Sequence, residues 1–356
     1  MRTVILPLVL TDQHLFSVHF YYAILMKNLH ITHPEDYTFD GKLAVQNVIG
    51  IMRSVMDDFN REDNVVSVKY DGAPAIVFGT DKLNGRFFVG TKSVFNKGIK
   101  KVCYTNDCID YYYSYKDNLA HILKLCLKHL PRVAGVYQAD FIGVGDGNLN
   151  EFTPNTITYK FDKAPFEDII MAVHTQYVGD NFDDVIAVPQ SSLTLPGLNV
   201  KWVDATVYYN EERIIEEAFK YSMDAIIDQL EIMNDDDFPV FKTKTAKTQL
   251  MKLINTYIRE GRILNAEDLS KETGINFRVF ELYELIAAAK EILINRFLPC
   301  ESVECFVNNR PANHEGLVIH HCGIASQDVI KLVRRYEFSR ANFSNQKFQK
   351  RPVGVS

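Results

Sequence analysis

A chain of 356 residues with a net charge of −6 is long enough for one large domain or two ordinary ones, and its acidic balance argues against a protein that coats nucleic acid by bulk electrostatics. A local basic groove stays compatible with that charge, because attraction to phosphates depends on where lysines and arginines sit. Hydrophobic residues at 47% and charged residues at 24% suit a soluble globular protein, whose core 18 Tyr and 23 Phe help to fill.

The chain opens with a short apolar run, Val4 to Leu10, that contains Pro7 and is followed by no small-residue cleavage site. Residues 1–25 therefore read as a poorly defined extension ahead of Met26. No stretch approaches about 18 uninterrupted apolar residues, so neither a membrane span nor a membrane partner is expected. Residues 41–60 carry Leu43, Val48, Met52, Val55, Met56 and Phe59 at near-helical spacing, with Asp40 as the cap. Three short β-rich runs follow at 65–70, 75–78 and 86–90, and their Asp-Gly and Asn-Gly turns predict a hairpin meander.

A second helix is predicted over 117–130, then strands over 136–142, 156–161 and 169–176. From 206 to 299 the rhythm is helical, with amphipathic segments around 211–232, 243–259, 266–272 and 277–297. Their apolar stripes, such as Ile214, Ile215, Phe219, Met223 and Ile226, read as packing, and Lys242, Lys244, Lys247, Lys252 and Arg259 as a solvated face or a seat for RNA. Strand character returns at 316–320 and 328–333. The expected fold is α+β: antiparallel sheets with flanking helices over 26–205 and 300–340, interrupted by a helical insertion at 206–299, with a basic tail at 341–356.

The six cysteines (103, 108, 126, 300, 305 and 322) form no Cys-x-x-Cys pair and no disulfide framework. Cys103/Cys108 and Cys300/Cys305 share a four-residue gap that zinc could use. Reduced thiols are the expected state, since structural zinc ligands usually sit closer together, and they imply a cytoplasmic setting.

Chemistry concentrates in four short runs. Lys69 ends an apolar strand just before the turn Asp71-Gly72; burial and nearby positive charge would disfavour its ammonium and leave a nucleophilic amine. In Tyr137-Gln138-Ala139-Asp140-Phe141-Ile142, alternation puts Gln138, Asp140 and Ile142 on one face, where Asp140 can enter a cleft. Glu315 leads directly into the apolar strand Gly316–Ile319, and the glycine permits close backbone approach. Lys331, inside Val329-Ile330-Lys331-Leu332-Val333, is a cation in an apolar run that calls for an anionic partner such as phosphate.

Lys-Tyr-Asp-Gly, Ala-Asp-Phe-Ile, Glu-Gly-Leu-Val-Ile and Lys-Leu-Val, in that order, resemble motifs I, III, IV and V of the covalent nucleotidyltransferases: RNA ligases, DNA ligases and mRNA capping enzymes. Gly90-Thr91-Lys92-Ser93 is similar to the basic element after motif I in RNA ligases. Over most of its length the chain is also similar to uncharacterised tailed-phage proteins, which would make the setting a host cytoplasm.

The resemblance implies an adenylation domain that uses ATP and Mg²⁺ or Mn²⁺. Lys69 would form a lysyl–AMP, Asp71, Gly72, Lys92, Asp140 and Gly316 would contact the nucleotide, Lys331 would hold the α-phosphate, and Glu315 with Asp140 would hold the metal. The partner implied is single-stranded or nicked RNA, whose 5′-phosphate and 3′-hydroxyl ends would be joined. Only 25 residues follow Lys331, too few for the barrel that DNA ligases and capping enzymes append, so the RNA-ligase branch is expected.

Three positions depart from the family pattern. Asp140 stands where glutamate is usual, Pro74 replaces an arginine two residues after the motif I glycine, and Val333 replaces the second motif V lysine, with Arg334 and Arg335 following at once. They leave open a catalytically silent nucleotide- or nucleic-acid-binding protein, or nucleotidyl transfer to another acceptor. The stacking aromatic is expected within 169–177. The chain's end, with Lys331, Arg334, Arg335, Arg340, Lys347, Lys350 and Arg351 against Glu337 and with Phe338, Phe343 and Phe348 interleaved, suits either a single-stranded nucleic-acid contact or a docked tail.

Overall fold

A computed structural model describes residues 31–57, 64–190, 197–322 and 327–338. The expected extension at 1–25, the tail at 341–356 with Phe343 and Phe348, and the end of the 41–60 helix lie outside these residues. In chain order, a 3-10 turn at Pro34–Phe39 and helix α1 (Lys42–Asp57) precede strands β1 (Asn64–Lys69), β2 (Ala75–Thr80) and β3 (Phe87–Gly90). Helices α2 (Asn106–Tyr113) and α3 (Asp117–His129) follow. Then come β4 (Val136–Gly143), β5 (Glu151–Phe152), β6 (Thr158–Phe161), β7 (Ile169–Val178), β8 (Ile186–Pro189), β9 (Val200–Trp202) and β10 (Val207–Tyr209). Helices α4 (Arg213–Glu231), α5 (Lys244–Glu260), α6 (Ala266–Thr273) and α7 (Phe277–Ile294) are next. The remaining strands are β11 (Phe297–Pro299), β12 (Val303–Val307), β13 (Arg310–Ala312), β14 (Gly316–Cys322) and β15 (Gln327–Val333).

The protein is α+β, with antiparallel sheets throughout except for the parallel pair β7–β9. One sheet runs β3-β2-β4-β7-β8, with β9 beside β7, and a second runs β1-β14-β15. Two smaller sheets, β13-β12-β6-β5 and β10-β11, complete it.

The three runs expected to form one meander are split between two sheets. β2 and β3 form a hairpin, but β1 leaves them and pairs with β14 in the other sheet. The linker explains this: Ala73 N–H donates to the Phe141 carbonyl at 3.0 Å and Phe141 N–H to the Pro74 carbonyl at 3.1 Å, so the chain after Lys69 is tied to β4 instead of turning back.

Period-two alternation divides the three-stranded sheet. Val66, Val68, Leu317, Ile319, Ile330 and Leu332 face a core shared with α1 and α7, each worth about 1.5–3 kcal/mol of burial. The alternate residues, Ser67, Lys69, Val318, Val329 and Lys331, line a cleft on the other face. In register, Ser67 lies opposite Val318 and Val318 opposite Lys331, while Lys69 lies opposite Gly316. Gly316 has φ +157°, and a Cβ there would sit 1.9 Å from the Leu332 carbonyl oxygen. Gly316→Ala is therefore expected to destabilise by about 2 kcal/mol, read as a lower urea midpoint at unchanged slope.

The helices of the 206–299 segment share this core. Ile215, Phe219, Met223 and Ile226 of α4 are buried at spacings of three and four. Ile214, read as part of the same stripe, is 71% exposed, because one residue turns a helix by about 100° and takes it off the face. Leu43 of α1 is exposed for the same reason. Asp40, expected to cap α1, instead pairs with Lys247, which removes that lysine from the expected basic face.

Candidate active site

Between the two large sheets lies a cleft of about 690 Å³, a size that suits a small-molecule ligand. A larger cavity of about 930 Å³ opens beside α5 and α6, but the charged residues lining it, Asp236, Asp237 and Glu272, are all acidic. The cleft is where unlike charges converge.

Lys69 enters it from the end of β1, one third exposed. Because Lys69 lies opposite Gly316, the preceding Glu315 is brought diagonally across the strand pair, and its Oε2 accepts from Lys69 Nζ. Burial alone would pull the Lys69 ammonium down. The Glu315 carboxylate, with Asp140 and Asp71 farther off, outweighs burial and holds it above the ordinary lysine value. The amine expected to be neutral is thus a protonated one, because its nearest charge is a carboxylate and not a cation. Burial in turn raises Glu315, against the pull of Lys69.

Lys331 faces the cleft from β15 and is half-buried. Burial lowers its ammonium, Asp36 and Glu315 oppose that, and Lys69 and Arg335 add to it. Among the described residues no carboxylate lies within ion-pair distance of Lys331 or of Lys92. Lys92 begins a 3-10 turn at Lys92–Phe95, where the Thr91 hydroxyl accepts from Ser93 N–H. Two lysines without carboxylate partners in one cleft form a seat for an anion.

Asp140 reaches the cleft from β4 as the alternation predicts, alongside Gln138. His174, which the sequence reading missed, stands against it with Nε2 3.6 Å from Asp140 Oδ1. From there Gln138 Nε2 lies 3.2 Å from His174 Nε2, and Tyr177 OH donates to Gln138 Oε1 at 2.6 Å. The ladder between β4 and β7 shifts register beside His174, where Ala139 faces Val173 but Gln138 faces Thr175. Such a bulge re-aims a side chain. The only sequence signal was the polar run His174-Thr175-Gln176 in an otherwise apolar strand. Phe95 and Tyr177 pack tilted, with centroids 4.4 Å apart and ring planes at 50°, on the cleft wall, and Tyr177 lies at the end of the stretch where the stacking aromatic was expected.

The other expected contacts sit differently. Gly72 packs beneath Asp140, where a Cβ would come within 2.5 Å of the Asp140 Cβ. Asp71 does not line the cleft: its carboxylate accepts from Thr156 N–H at 2.9 Å, Ile157 N–H at 3.3 Å and Asn155 Nδ2 at 2.8 Å. Gly316 contributes the close strand approach and no side chain. Arg334 pairs with Glu291 at 2.9 Å and Arg335 with Asp36 at 2.8 Å, so neither stands in for the second lysine at Val333. Phe338 is buried in the core.

Among the described residues no group of three or more His, Cys, Asp or Glu side chains gathers to hold a metal ion alone. Cys103, Cys108, Cys126, Cys300 and Cys305 are free thiols. No helix among the described residues is long and apolar enough to cross a membrane.

Fold and site together define an α+β protein of antiparallel sheets whose central cleft gathers three lysines and two carboxylates. The sequence model of a family of unknown function, DUF6267, matches residues 28–277 and 266–347, and the chain belongs to that family. No curated protein and no solved structure matches it.

Proposed function

We propose that this protein is an ATP-dependent nucleotidyltransferase of the RNA-ligase type, with Lys69 as the nucleophile. The observation that carries the reading is the diagonal Lys69–Glu315 contact across β1 and β14, facing a cleft in which Lys92 and Lys331 have no carboxylate partner among the described residues. Lys69 Nζ, once it has lost a proton, attacks the α-phosphorus of ATP; the bond to the bridging oxygen breaks and pyrophosphate leaves. Lys331 and Lys92 hold phosphate oxygens, and Phe95, partly buried on the cleft wall against the buried Tyr177, offers ring surface for the base. The AMP then passes to a 5′-phosphate, and a 3′-hydroxyl displaces it as the new phosphodiester forms.

Mg²⁺ is usually held by one or two carboxylates together with substrate phosphates, and Glu315 and Asp140 match that donor set. Bound there, the ion supplies charge neutralisation on the transferring phosphoryl group. Glu315 would then be shared between the cation and Lys69, which would weaken its hold on the Lys69 ammonium.

The test is incubation with α-labelled ATP and Mg²⁺ or Mn²⁺, followed by denaturation. Label on the chain that pyrophosphate removes is expected. Absence of label with every nucleotide would overturn the reading in favour of a silent nucleotide-binding protein, which the protonated Lys69 also suits. Sealing of a 5′-phosphorylated RNA then separates RNA from other acceptors.

A pH dependence follows. Since Glu315 holds the Lys69 proton, labelling at saturating ATP is expected to speed up as pH rises between about 7 and 9. Glu315→Gln removes the charge that retains the proton and should move the profile to lower pH. A profile flat over that range in the native protein contradicts this account of the proton.

A further inference from the structure

We propose that a strip of tyrosines and lysines beside the cleft binds a single strand of polynucleotide and leads it to Lys92, an inference resting on the nucleotidyltransferase reading for its connection to chemistry. The strip begins at the turn that carries Lys92. Ser93 Oγ lies 2.8 Å from the Tyr113 hydroxyl at the end of α2, and the Ser93 carbonyl accepts from Lys101 N–H at 3.2 Å. Tyr113 is buried and fixes that turn. The Lys101 ammonium then lies over three rings at once, 5.3 Å from the Tyr113 centroid and 5.8 Å from those of Tyr112 and Tyr115. Lys116 lies 5.5 Å from the Tyr115 ring.

Beyond them the aromatics are open. Tyr111 is 82% and Tyr115 is 68% exposed, with Tyr111 against Tyr112 at 4.9 Å. Rings this exposed are not held by the core; they offer π-faces on which bases stack without sequence preference. Lys97, Lys101 and Lys116 supply charge for the backbone phosphates. Lys100 and Asp110 are occupied by Asp183 and Lys124. Asp107 and Asp117 are the exposed acids on the adjoining helices, so the strip carries more positive than negative charge not already paired. Alternating rings and ammonium groups that continue to Lys92 on the cleft wall match a single strand better than a duplex, whose bases present no free faces.

The experiment measures binding of a fluorescent 5′-phosphorylated single-stranded RNA, and of the matching DNA, by anisotropy across a salt series. It uses the full chain, Tyr111→Ala, and Lys101→Gln with Tyr115→Ala; self-labelling with α-labelled ATP is measured on the same samples. Affinity is expected to fall at least about fivefold for each exposed ring removed. The logarithmic salt slope should fall by about 0.7 for the lysine. Self-labelling should stay at the native level, since none of these residues touches the nucleotide cleft. Native affinity in both variants, or no strand binding by the native chain, would overturn the strip. Strand binding that depends on these residues with no self-labelling would uphold the strip and overturn the nucleotidyltransferase reading instead. Equal losses for RNA and DNA identify the shared backbone and bases as the ligand, and a loss confined to RNA identifies the ribose.

Discussion

Lys69→Arg is expected to reduce covalent labelling at least about a thousandfold while leaving the protein folded. The two halves of that expectation come from different atoms. Guanidinium stays protonated and is no nucleophile, so the step that makes the phosphoramidate is lost. Its charge still answers Glu315, whose carboxylate is otherwise left in a site where burial already raises its pKa. Lys69→Ala removes both functions. It should cost about 1 kcal/mol of stability as well as the label, a modest figure because the Lys69 side chain is one third exposed and solvent screens the pair. Labelled protein recovered after denaturation gives the first readout and thermal unfolding the second. Persistent label on Lys69→Arg would place the nucleophile elsewhere, and Lys92 and Lys331 are the lysines that share the cleft.

The residues of this site were legible to different degrees, for physical reasons. Lys69, Asp140 and Lys331 each sit in a strand where alternation decides which face a side chain takes, and that is local information. All three line the same cleft. The helices of the 206–299 segment were legible in the same way, because a period of 3.6 needs no partner to be seen. What the chain does not announce locally is pairing. The Asp-Gly turn after Lys69 looked like a hairpin, yet β1 finds β14 some 246 residues away. Asp71 looked free to bind a ligand, but carboxylates at turns are readily taken by nearby backbone N–H groups, here those of 156 and 157. His174 depends on a register shift between β4 and β7 that no single strand encodes. Arg334 and Arg335 looked like part of a basic tail because their acidic partners lie on α7 and at Glu35 and Asp36, far away in sequence.

That last correction carries the largest stability effect. Arg335→Ala is expected to destabilise the protein by about 3–5 kcal/mol, the range for breaking a buried pair from one side. Its guanidinium is buried and donates to Asp36 Oδ1 at 2.8 Å, to the Tyr283 hydroxyl at 2.6 Å and to Asn255 Oδ1 at 2.8 Å, with Glu35 Oε1 at 3.5 Å. Lys290 donates to Glu35 at 2.7 Å from the C-terminal third of α7. Without Arg335, the buried Asp36 loses the guanidinium it pairs with, and among the described residues Lys290 is the cation left to Glu35. The pair bridges the 3-10 turn at Pro34–Phe39, α5, α7 and the segment just after β15, so its loss loosens the attachment of the Lys331 strand to the helices. Urea unfolding supplies the measurement, with a lower midpoint and an unchanged slope. Arg335→Ala combined with Asp36→Asn should cost clearly less than the two changes summed, because the double variant no longer buries an unpaired carboxylate at that position. Additive losses, or a cost below about 1 kcal/mol for Arg335→Ala, would mean that the cluster does not clamp the helices to the cleft sheet.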